Sequence, residues 1–372
     1  MSASCGLIAA AIEKLAPCGL AESWDNVGLL VGNPEQNVTK ALLTLDVTQK
    51  VVDEAVEVKA ELIISHHPFP FHAMKTLRTD TASGALLTKL LQQNISVYAA
   101  HTNLDVATGG VNDALASCLQ LDEVSPLQST FSPLVKIVTF VPVLYVETVW
   151  KAMAGAGAGH IGKYSQCSFR VLGKGTFLPG KNAIPFIGEI NRMSEVDEIR
   201  LETIVPAALS DAVVHAMITS HPYEEVAYDI YPLKNEWTIG GLGRVGNLPR
   251  PVSLSEFAAM VSDALSVSGV RFVGKADMIV RRVAVCGGSG MEVADAARRS
   301  DAQVLVTGDI RYHDAQNALA NGLCLIDAGH FGTEFPVMAR LQRYLQECST
   351  EGRWDCRFDV AQKQANIWHV IY

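Results

Sequence analysis

Four short apolar runs in the chain each end in a cluster of polar residues. The runs span residues 62–64, 97–100, 304–306 and 324–326. Uninterrupted apolar runs of this length are typical of strands that are buried on both faces, so each run predicts a short strand followed by a loop. Open α/β sheets bind ligands at the carboxyl ends of their strands. We therefore expect the polar groups that follow these runs to converge, although they are far apart in the sequence.

The rest of the hydrophobic pattern changes character twice along the chain. Up to about residue 126, helical and strand patterns alternate, which predicts a layered α/β domain. Between residues 135 and 233 the predicted order is strand, helix, two strands, helix and strand, which is typical of an α+β ferredoxin-like domain. The first pattern returns near Gly240. We predict a discontinuous α/β core formed by residues 1–126 and 235–372, interrupted by an α+β ferredoxin-like insert at 127–234.

The polar clusters contain residue types that bind transition metals. In two of them a histidine precedes a carboxylate by four positions, a spacing that places both on one face of a helical turn. Imidazole and carboxylate together suit Zn, Fe, Mn, Co or Ni. Because there are more groups than one tetrahedral ion needs, we expect two ions bridged by a carboxylate. The candidate ligands are His66, His67, His101, Asp105, His330 and Glu334.

Weaker signals surround this set. Asp309 and His313 follow the third apolar run and are interpreted as substrate contacts or as support for the ligands, with a helix cap as the alternative for Asp309. Trp24 and Asn26 lie in a loop that could line a pocket or fix the first helix to the sheet. The glycine-rich loop at 287–290 suits either an anion cradle or a tight strand-to-helix turn.

Charge and cysteine content narrow the class of protein. The net charge is −9 and there is no Lys/Arg-rich run, which argues against nucleic acid as a partner because phosphate neutralisation requires clustered basic residues. The eight cysteines form no Cys-x-x-Cys pair. Reduced thiols of this kind predict a cytoplasmic protein. The sequence contains no uninterrupted run of about 18 apolar residues, so it predicts no membrane span.

Several motifs together resemble the GTP cyclohydrolase I type 2 homologue family, the NIF-three-like proteins. The resemblance covers both halves of the predicted core, and the segment at 220–229 is similar to the PII/CutA-like insert of longer bacterial members. It implies a two-metal centre in a toroidal homohexamer, with His66, His67, Asp105, His330 and Glu334 as ligands and His101 close by. The motifs are Glu22-Ser-Trp-Asp-Asn-Val-Gly, Ile64-Ser-His-His-Pro, His101-Thr-Asn-Leu-Asp, Gly240-Gly-Leu-Gly-Arg-Val-Gly, Val306-Thr-Gly-Asp-Ile and Asp327-Ala-Gly-His-Phe-Gly-Thr-Glu.

We expect a metal-dependent hydrolase that acts on a nucleotide-like or heterocyclic small molecule, with GTP ring opening as one candidate reaction. His101 is the predicted proton carrier, because imidazole titrates near neutrality. Two alternatives stay open at this point. One is a non-enzymatic metal-binding ring that acts as a scaffold or regulator, and the other is a two-metal phosphoesterase.

Overall fold

The computed structural model describes residues 2–72 and 74–369 of the chain. It has a mixed α/β fold built from layers of sheet and helix. The contacts divide it into two compact units: Met1–Thr130 with Gly240–Tyr372, which we call the core, and Phe131–Ile239, which we call the insert. In the described part of the chain, no helix combines the length and the apolar character needed to cross a membrane.

The N-terminal half of the core alternates strands and helices. Its strands are β1 (Ala3–Ser4), β2 (Gly28–Val31), β3 (Asn37–Val38), β4 (Lys40–Thr44), β5 (Leu62–Ser65) and β6 (Ser96–Ala99). Its helices are α1 (Cys5–Leu15), α2 (Gln49–Val58), α3 (Ala82–Gln92), α4 (Thr102–Val106) and α5 (Val111–Cys118). Serine and threonine side chains cap α1, α2 and α3, each accepting a backbone N–H of the first turn.

In the insert, the chain order is strand, helix, two strands, helix and strand. The elements are β7 (Asp122–Pro142), α6 (Val146–Gly155), β8 (Phe169–Phe177), β9 (Ser194–Pro206), α7 (Ser210–Ser220) and β10 (Tyr228–Ser253). β9 pairs antiparallel with both β7 and β8. The side chains of α6 and α7 pack on β7 and β9 around Trp150, Met153 and Leu201, which gives the insert its own apolar core. β7 and β10 each begin or end in the other unit.

The C-terminal half of the core repeats the alternation. Its strands are β11 (Arg271–Val273), β12 (Ile279–Val285), β13 (Val304–Thr307), β14 (Cys324–Asp327) and β15 (Arg357–Val360). Its helices are α8 (Leu254–Ala264), α9 (Ala294–Arg299), α10 (Tyr312–Ala320), α11 (His330–Glu334) and α12 (Pro336–Gly352). The chain also forms short 3-10 helices at Cys18–Leu20, Val143–Tyr145, Ala207–Leu209 and Met291–Val293.

The core contains one largely parallel sheet and one mixed sheet, each with helices on both faces. The first has the order β15-β4-β5-β6-β2, and the core strands of the second have the order β11-β14-β13-β12-β10. Every residue of β5, β6 and β13 is buried, as expected when helices cover both faces of a parallel sheet. Helix α5 contributes side chains to the apolar core of each sheet, so the two sheets share one layer of packing.

The register of each sheet aligns the strand ends that the sequence singled out. Ser65 of β5 pairs with Ala99 of β6 in the first sheet, and Thr307 of β13 pairs with Asp327 of β14 in the second. Parallel strands that end in register deliver the following residues to one edge. The four predicted strand ends therefore come from two sheets, two from each, rather than from a single sheet.

Candidate metal centre

The adjacent histidines follow β5 directly. The backbone N–H groups of His66 and His67 still donate to the carbonyls of Thr44 and Leu45, at 3.0 and 2.9 Å. These bonds hold the segment beside β4 as it leaves the strand. His66 is 1% exposed, so its imidazole lies fully inside the core.

The other two histidine–carboxylate pairs are placed by short helices. His101 directly precedes α4, which carries Asp105, and His330 begins α11, which ends at Glu334. Within each pair the four-residue spacing puts both side chains on one side of a helical turn. Gly329 precedes His330 with a φ of +76°, a backbone conformation that favours glycine. Each sheet thus presents one such helix at the end of a parallel strand.

The carboxylate of Glu334 lies at the centre of the cluster. Its Oε1 is 3.0 Å from His330 Nε2 and 3.6 Å from His66 Nε2, and its Oε2 is 3.2 Å from His67 Nε2. Asp105 Oδ1 is 3.7 Å from His66 Nε2. One set of ligand atoms within 4.8 Å of one another comes from His67, His330 and Glu334, and another comes from His66, His67 and His101.

Three buried polar atoms in this cluster have no hydrogen-bond partner: His66 Nε2, Asp105 Oδ1 and Glu334 Oε2. Leaving such atoms unpaired in a protein interior is costly, and they are rare in native structures. Ligands bonded to one tetrahedral ion at about 2.1 Å stand about 3.4 Å apart. The separations of 3.0–3.7 Å between the nitrogens and carboxylate oxygens of the cluster match that spacing. The residues therefore fit a transition-metal site.

The second nitrogen of each imidazole is held by an acceptor. His66 Nδ1 donates to the Ala100 carbonyl at 2.8 Å. The other three histidines donate to carboxylates: His67 to Asp46 at 2.9 Å, His101 to Asp25 at 2.9 Å, and His330 to Asp309 at 2.8 Å. A hydrogen bond at Nδ1 leaves the lone pair of Nε2 available for a metal ion and fixes the orientation of the ring. This is the arrangement found around metal-binding histidines.

The close packing of carboxyl and imidazole groups in the cluster shifts their pKa values. Burial would raise the pKa of Glu334, but the surrounding imidazoles hold that pKa well below its usual range. Burial opposes protonation of His67, yet its bonds to Asp46 and Glu334 raise its pKa to about 10. Burial raises the pKa of Asp105 to about 7. With its pKa raised to about 10, His67 holds a proton at neutral pH that a bound cation would displace.

A cavity of about 630 Å³ opens onto the cluster, and its walls include Trp24, His101, Asp105, His330 and Glu334. Its volume lies in the range of small-molecule sites. Trp24 is 62% exposed, and its ring centroid is 6.1 Å from that of His101. The cavity therefore joins the ligand cluster to a flat aromatic surface.

The remaining residues singled out in the sequence take different positions. Asp309 reaches the cluster through His330, as described above. The Asn26 side chain donates to the Pro70 carbonyl at 3.1 Å, and its backbone N–H donates to Asp25 Oδ1 at 2.8 Å. His313 pairs with Gln316 inside α10, at 3.2 Å, and is not among the residues that the structure brings together at the centre.

The loop at 287–290 forms a tight strand-to-helix turn. Three of its backbone N–H groups already donate to side chains, those of Asn112, Thr333 and Thr307, at 2.8–3.0 Å. These donors are consequently engaged within the fold rather than presented to an anion. The turn instead brings glycine backbone next to the buried carboxylate: a Cβ on Gly288 would lie 2.4 Å from Glu334 Oε1.

Sequence reasoning missed three residues around the centre. Asp46 follows β4 and Asp25 lies in the loop of Trp24, and both bind ligand-set histidines. Asp46 could have been found by the strand-end argument, since it directly follows the largely apolar run at 41–45, which Thr44 interrupts. Phe71 stands 5.9 Å from His101 and 6.5 Å from Trp24 between ring centroids, and no local pattern marks it.

Fold and site together define a mixed α/β protein with a candidate transition-metal site between two sheets. The family model described as Duf34/NIF3 (NGG1p interacting factor 3) matches residues 3–367, so the chain belongs to this family. The chain is 48% identical over 355 residues to a Bacillus subtilis protein named GTP cyclohydrolase 1 type 2 homolog, covering 95% of each. It is 45% identical to a protein of the same name from Halalkalibacterium halodurans, covering 86% of each. A solved Bacillus cereus protein related to NIF3 superposes with a TM-score of 0.92 at 41% identity, covering 100% of both chains.

Proposed function

We propose that the chain is a metal-dependent hydrolase with a dinuclear centre that acts on a nucleotide-like or heterocyclic small molecule. The observation that carries this proposal is the set of three unpartnered buried ligand atoms, at His66, Asp105 and Glu334, beside a cavity open to small molecules. The names of the relatives, GTP cyclohydrolase 1 type 2 homolog, support the substrate class.

The proposed ligands form two groups on either side of the Glu334 carboxylate. His67 and His330 would hold one ion together with this carboxylate, and His66 and Asp105 would hold the second. Divalent Zn, Fe, Mn, Co or Ni suits such a mixture of imidazole and carboxylate. Ions of this kind supply Lewis acidity and make water nucleophilic at neutral pH.

The chain's own residues supply orientation and proton transfer. His101 lines the cavity, and its Nδ1 bond to Asp25 fixes the ring. We assign it the role of proton carrier because the other three histidines of the cluster each pair with Glu334, whereas His101 pairs with Asp25. Trp24 and Phe71 provide aromatic surface next to His101, on which a heterocyclic substrate would stack.

The test is turnover of GTP and of a simple phosphodiester by purified protein, before and after chelation and after reloading with each candidate metal. The proposal requires conversion of at least one substrate that disappears with the metal and returns with it. GTP ring opening would support the cyclohydrolase chemistry, and phosphodiester cleavage would support a two-metal phosphoesterase. If neither substrate is converted with any metal, the hydrolase proposal fails in favour of a metal-binding scaffold.

We also propose a toroidal homohexamer in the cytoplasm, with a ferredoxin-like, PII/CutA-like insert. The eight cysteines of the chain are free thiols, which supports a reducing compartment. Light scattering should give a particle mass six times the 40.1 kDa of the chain, and a monomer or dimer at micromolar concentration would contradict the assembly.

A further inference from the structure

The insert contains a cavity of its own, with a volume of about 670 Å³ and walls formed entirely by insert residues. Sites for small molecules typically enclose about 300–1,000 Å³ and combine apolar walls with a few polar groups. The cavity lies against β8 and β9 and under the loop at 178–193. Its size is therefore compatible with a bound small molecule, and its lining indicates which kind.

The main polar group of this cavity is Glu198 on β9, which is 7% exposed. The Tyr223 hydroxyl donates to its Oε1 at 2.8 Å, and within the described residues this is the one hydrogen bond made by the carboxylate. An ionised carboxylate has about four acceptor sites and is almost never buried without partners. A Cβ on Gly175 would lie 2.1 Å from Glu198 Oε2, so glycine leaves this oxygen its space.

Tyr223 is held in place by a buried histidine. His221 Nε2 donates to the Phe140 carbonyl at 3.1 Å, and its Nδ1 accepts the backbone N–H of Tyr223 at 3.1 Å. Burial lowers the pKa of His221, which keeps the imidazole neutral as this pair of bonds requires. Burial and the neighbouring Glu198 raise the pKa of Tyr223, so its hydroxyl remains a donor.

Aromatic rings form the walls beside Glu198. The ring centroids of Phe177 and Phe186 lie 6.0 and 6.3 Å from that of Tyr223. Phe186 is 48% exposed, although it lies beside other aromatic rings. Its loop is anchored where the backbone N–H of Ile184 donates to Glu224 at 2.8 Å. Flat ligands stack favourably on such rings.

We propose that the insert binds a flat aromatic amine that presents two adjacent N–H donors to Glu198 and stacks on Phe177 and Phe186. Parallel N–H donors pair with a carboxylate in the bidentate way known for the arginine fork. The charged side chains of the cavity wall do not favour an anion, because three of them are acidic and two are basic. They are Lys174, Glu198, Arg200, Glu224 and Glu225. The ligand is accordingly a free heterocyclic amine or nucleoside rather than a nucleotide.

The test is calorimetric titration of the full-length protein with 2-aminobenzimidazole, which has adjacent N–H donors, and with indole, which has one. We expect 2-aminobenzimidazole to bind and indole to bind more weakly. Glu198→Gln retains an acceptor for Tyr223 but loses the charge, and should weaken binding about 10–100-fold. Phe186→Ala removes a half-exposed ring and should also weaken it. Glu189→Gln, an exposed loop glutamate of the insert, is the matched control and should bind like wild type.

A further variant tests whether ligand binding by the insert is independent of the proposed metal centre. Glu334→Gln alters the proposed metal centre and should leave the affinity for 2-aminobenzimidazole unchanged, so this result is independent of the hydrolase proposal. Affinity lost in Glu334→Gln but kept in Glu198→Gln would overturn the insert site, as would equal binding of indole or no heat of binding at millimolar ligand. If Glu198→Gln does not fold, wild-type affinity in Phe186→Ala overturns the proposal by itself.

Discussion

At the scale of single residues, the candidate centre is defined by what holds each imidazole as much as by the imidazoles themselves. Four histidines direct their second nitrogen to an acceptor, and three of these acceptors are carboxylates. A hydrogen bond at Nδ1 sets the tautomer and prevents the ring from rotating away. The remaining nitrogens and the buried carboxylate Glu334 are therefore already oriented around the space that an ion would fill.

Glu334→Gln tests the central ligand of this arrangement. A neutral amide is a poor bridging ligand, so we expect the variant to lose at least one of up to two transition-metal ions per chain. Elemental analysis of purified protein measures the change. Glu347→Gln, an exposed glutamate on the adjacent helix α12, should keep the wild-type metal content. Full occupancy in Glu334→Gln would remove Glu334 from the ligand set.

His101→Ala separates proton transfer from metal binding. If His101 is the proton carrier, hydrolysis should fall about 10²–10⁴-fold, the usual contribution of a general acid–base group, while metal content stays constant. The exposed His215 of the insert provides the control, since His215→Ala should match wild type in both measurements. Loss of metal together with activity would show that His101 is a ligand, a role that its position near His66 and His67 also permits.

At the scale of elements, local sequence patterns predicted the strands that carry the centre but not their arrangement. The apolar runs before His66 and His330 are strands because they are buried on both faces, which composition reveals. Their division between two sheets depends on pairing between distant segments. The clearest case is β15, which pairs with β4 although more than 300 residues separate them, and its short, partly polar sequence gave no strand signal.

The bounds of some helices and strands differ from those predicted by the local sequence, because pairing with a distant strand determines where they begin or end. The apolar residues at 135–142 predict a strand, and the structure extends that strand over Asp122–Pro142 as β7, across the proline at position 126. The sequence from Pro206, with Asp211 soon after it, predicts a helix that begins at Pro206. The helix α7 instead begins at Ser210, because Pro206 is still paired in β9. Hydrogen bonding to a neighbouring strand determined both outcomes, and a single sequence does not show that partner.

A buried ion pair joins two elements of the core that local sequence does not connect. Arg244, in β10, is 2% exposed, and its Nε and Nη2 donate to Asp113 of α5, both at 2.8 Å. Its Nη1 donates to the Gly241 and Gly243 carbonyls. The glycine-rich motif around Arg244 thus supplies backbone carbonyls that bind this guanidinium.

Asp113→Asn should destabilise the fold by about 3–5 kcal/mol at pH 7, because it leaves a buried guanidinium without its anion. Burial opposes ionisation of Asp113, but Arg244 outweighs it and lowers the pKa of the carboxyl. The contribution of the pair is therefore present above the unfolded carboxyl pKa of about 3.9 and is lost as the pH falls through the lower, folded pKa.

Urea unfolding of wild type and variant measures this dependence. The difference in unfolding free energy should be constant from about pH 5 to 7 and shrink below about pH 4. Asp295→Asn is the control, since Asp295 and Arg298 form an exposed pair at 3.7 Å and surface pairs contribute little. A difference that grows on acidification would contradict the assigned role of Asp113.

At the scale of the whole molecule, the candidate centre belongs to the core, which the insert interrupts in the sequence. Every ligand candidate lies in Met1–Thr130 or Gly240–Tyr372. The chain leaves and re-enters this unit at neighbouring points: a Cβ on Gly241 would lie 2.5 Å from the carbonyl oxygen of Gln128. Inserted domains typically have adjacent termini and their own core, and the apolar cluster of α6, α7, β7 and β9 provides such a core.

Replacing Phe131–Ile239 with a short Gly/Ser linker should therefore leave a folded core that still binds metal. The linker spans only the gap between neighbouring points, and loop closure over a few residues has a small entropic cost. Circular dichroism with thermal unfolding reports folding, and elemental analysis reports the metal. The same deletion carrying Glu334→Gln is the matched control and should lose metal as the full-length variant does. A deletion variant that unfolds cooperatively but binds no metal would show that the insert helps to build the centre, because every proposed ligand would still be present.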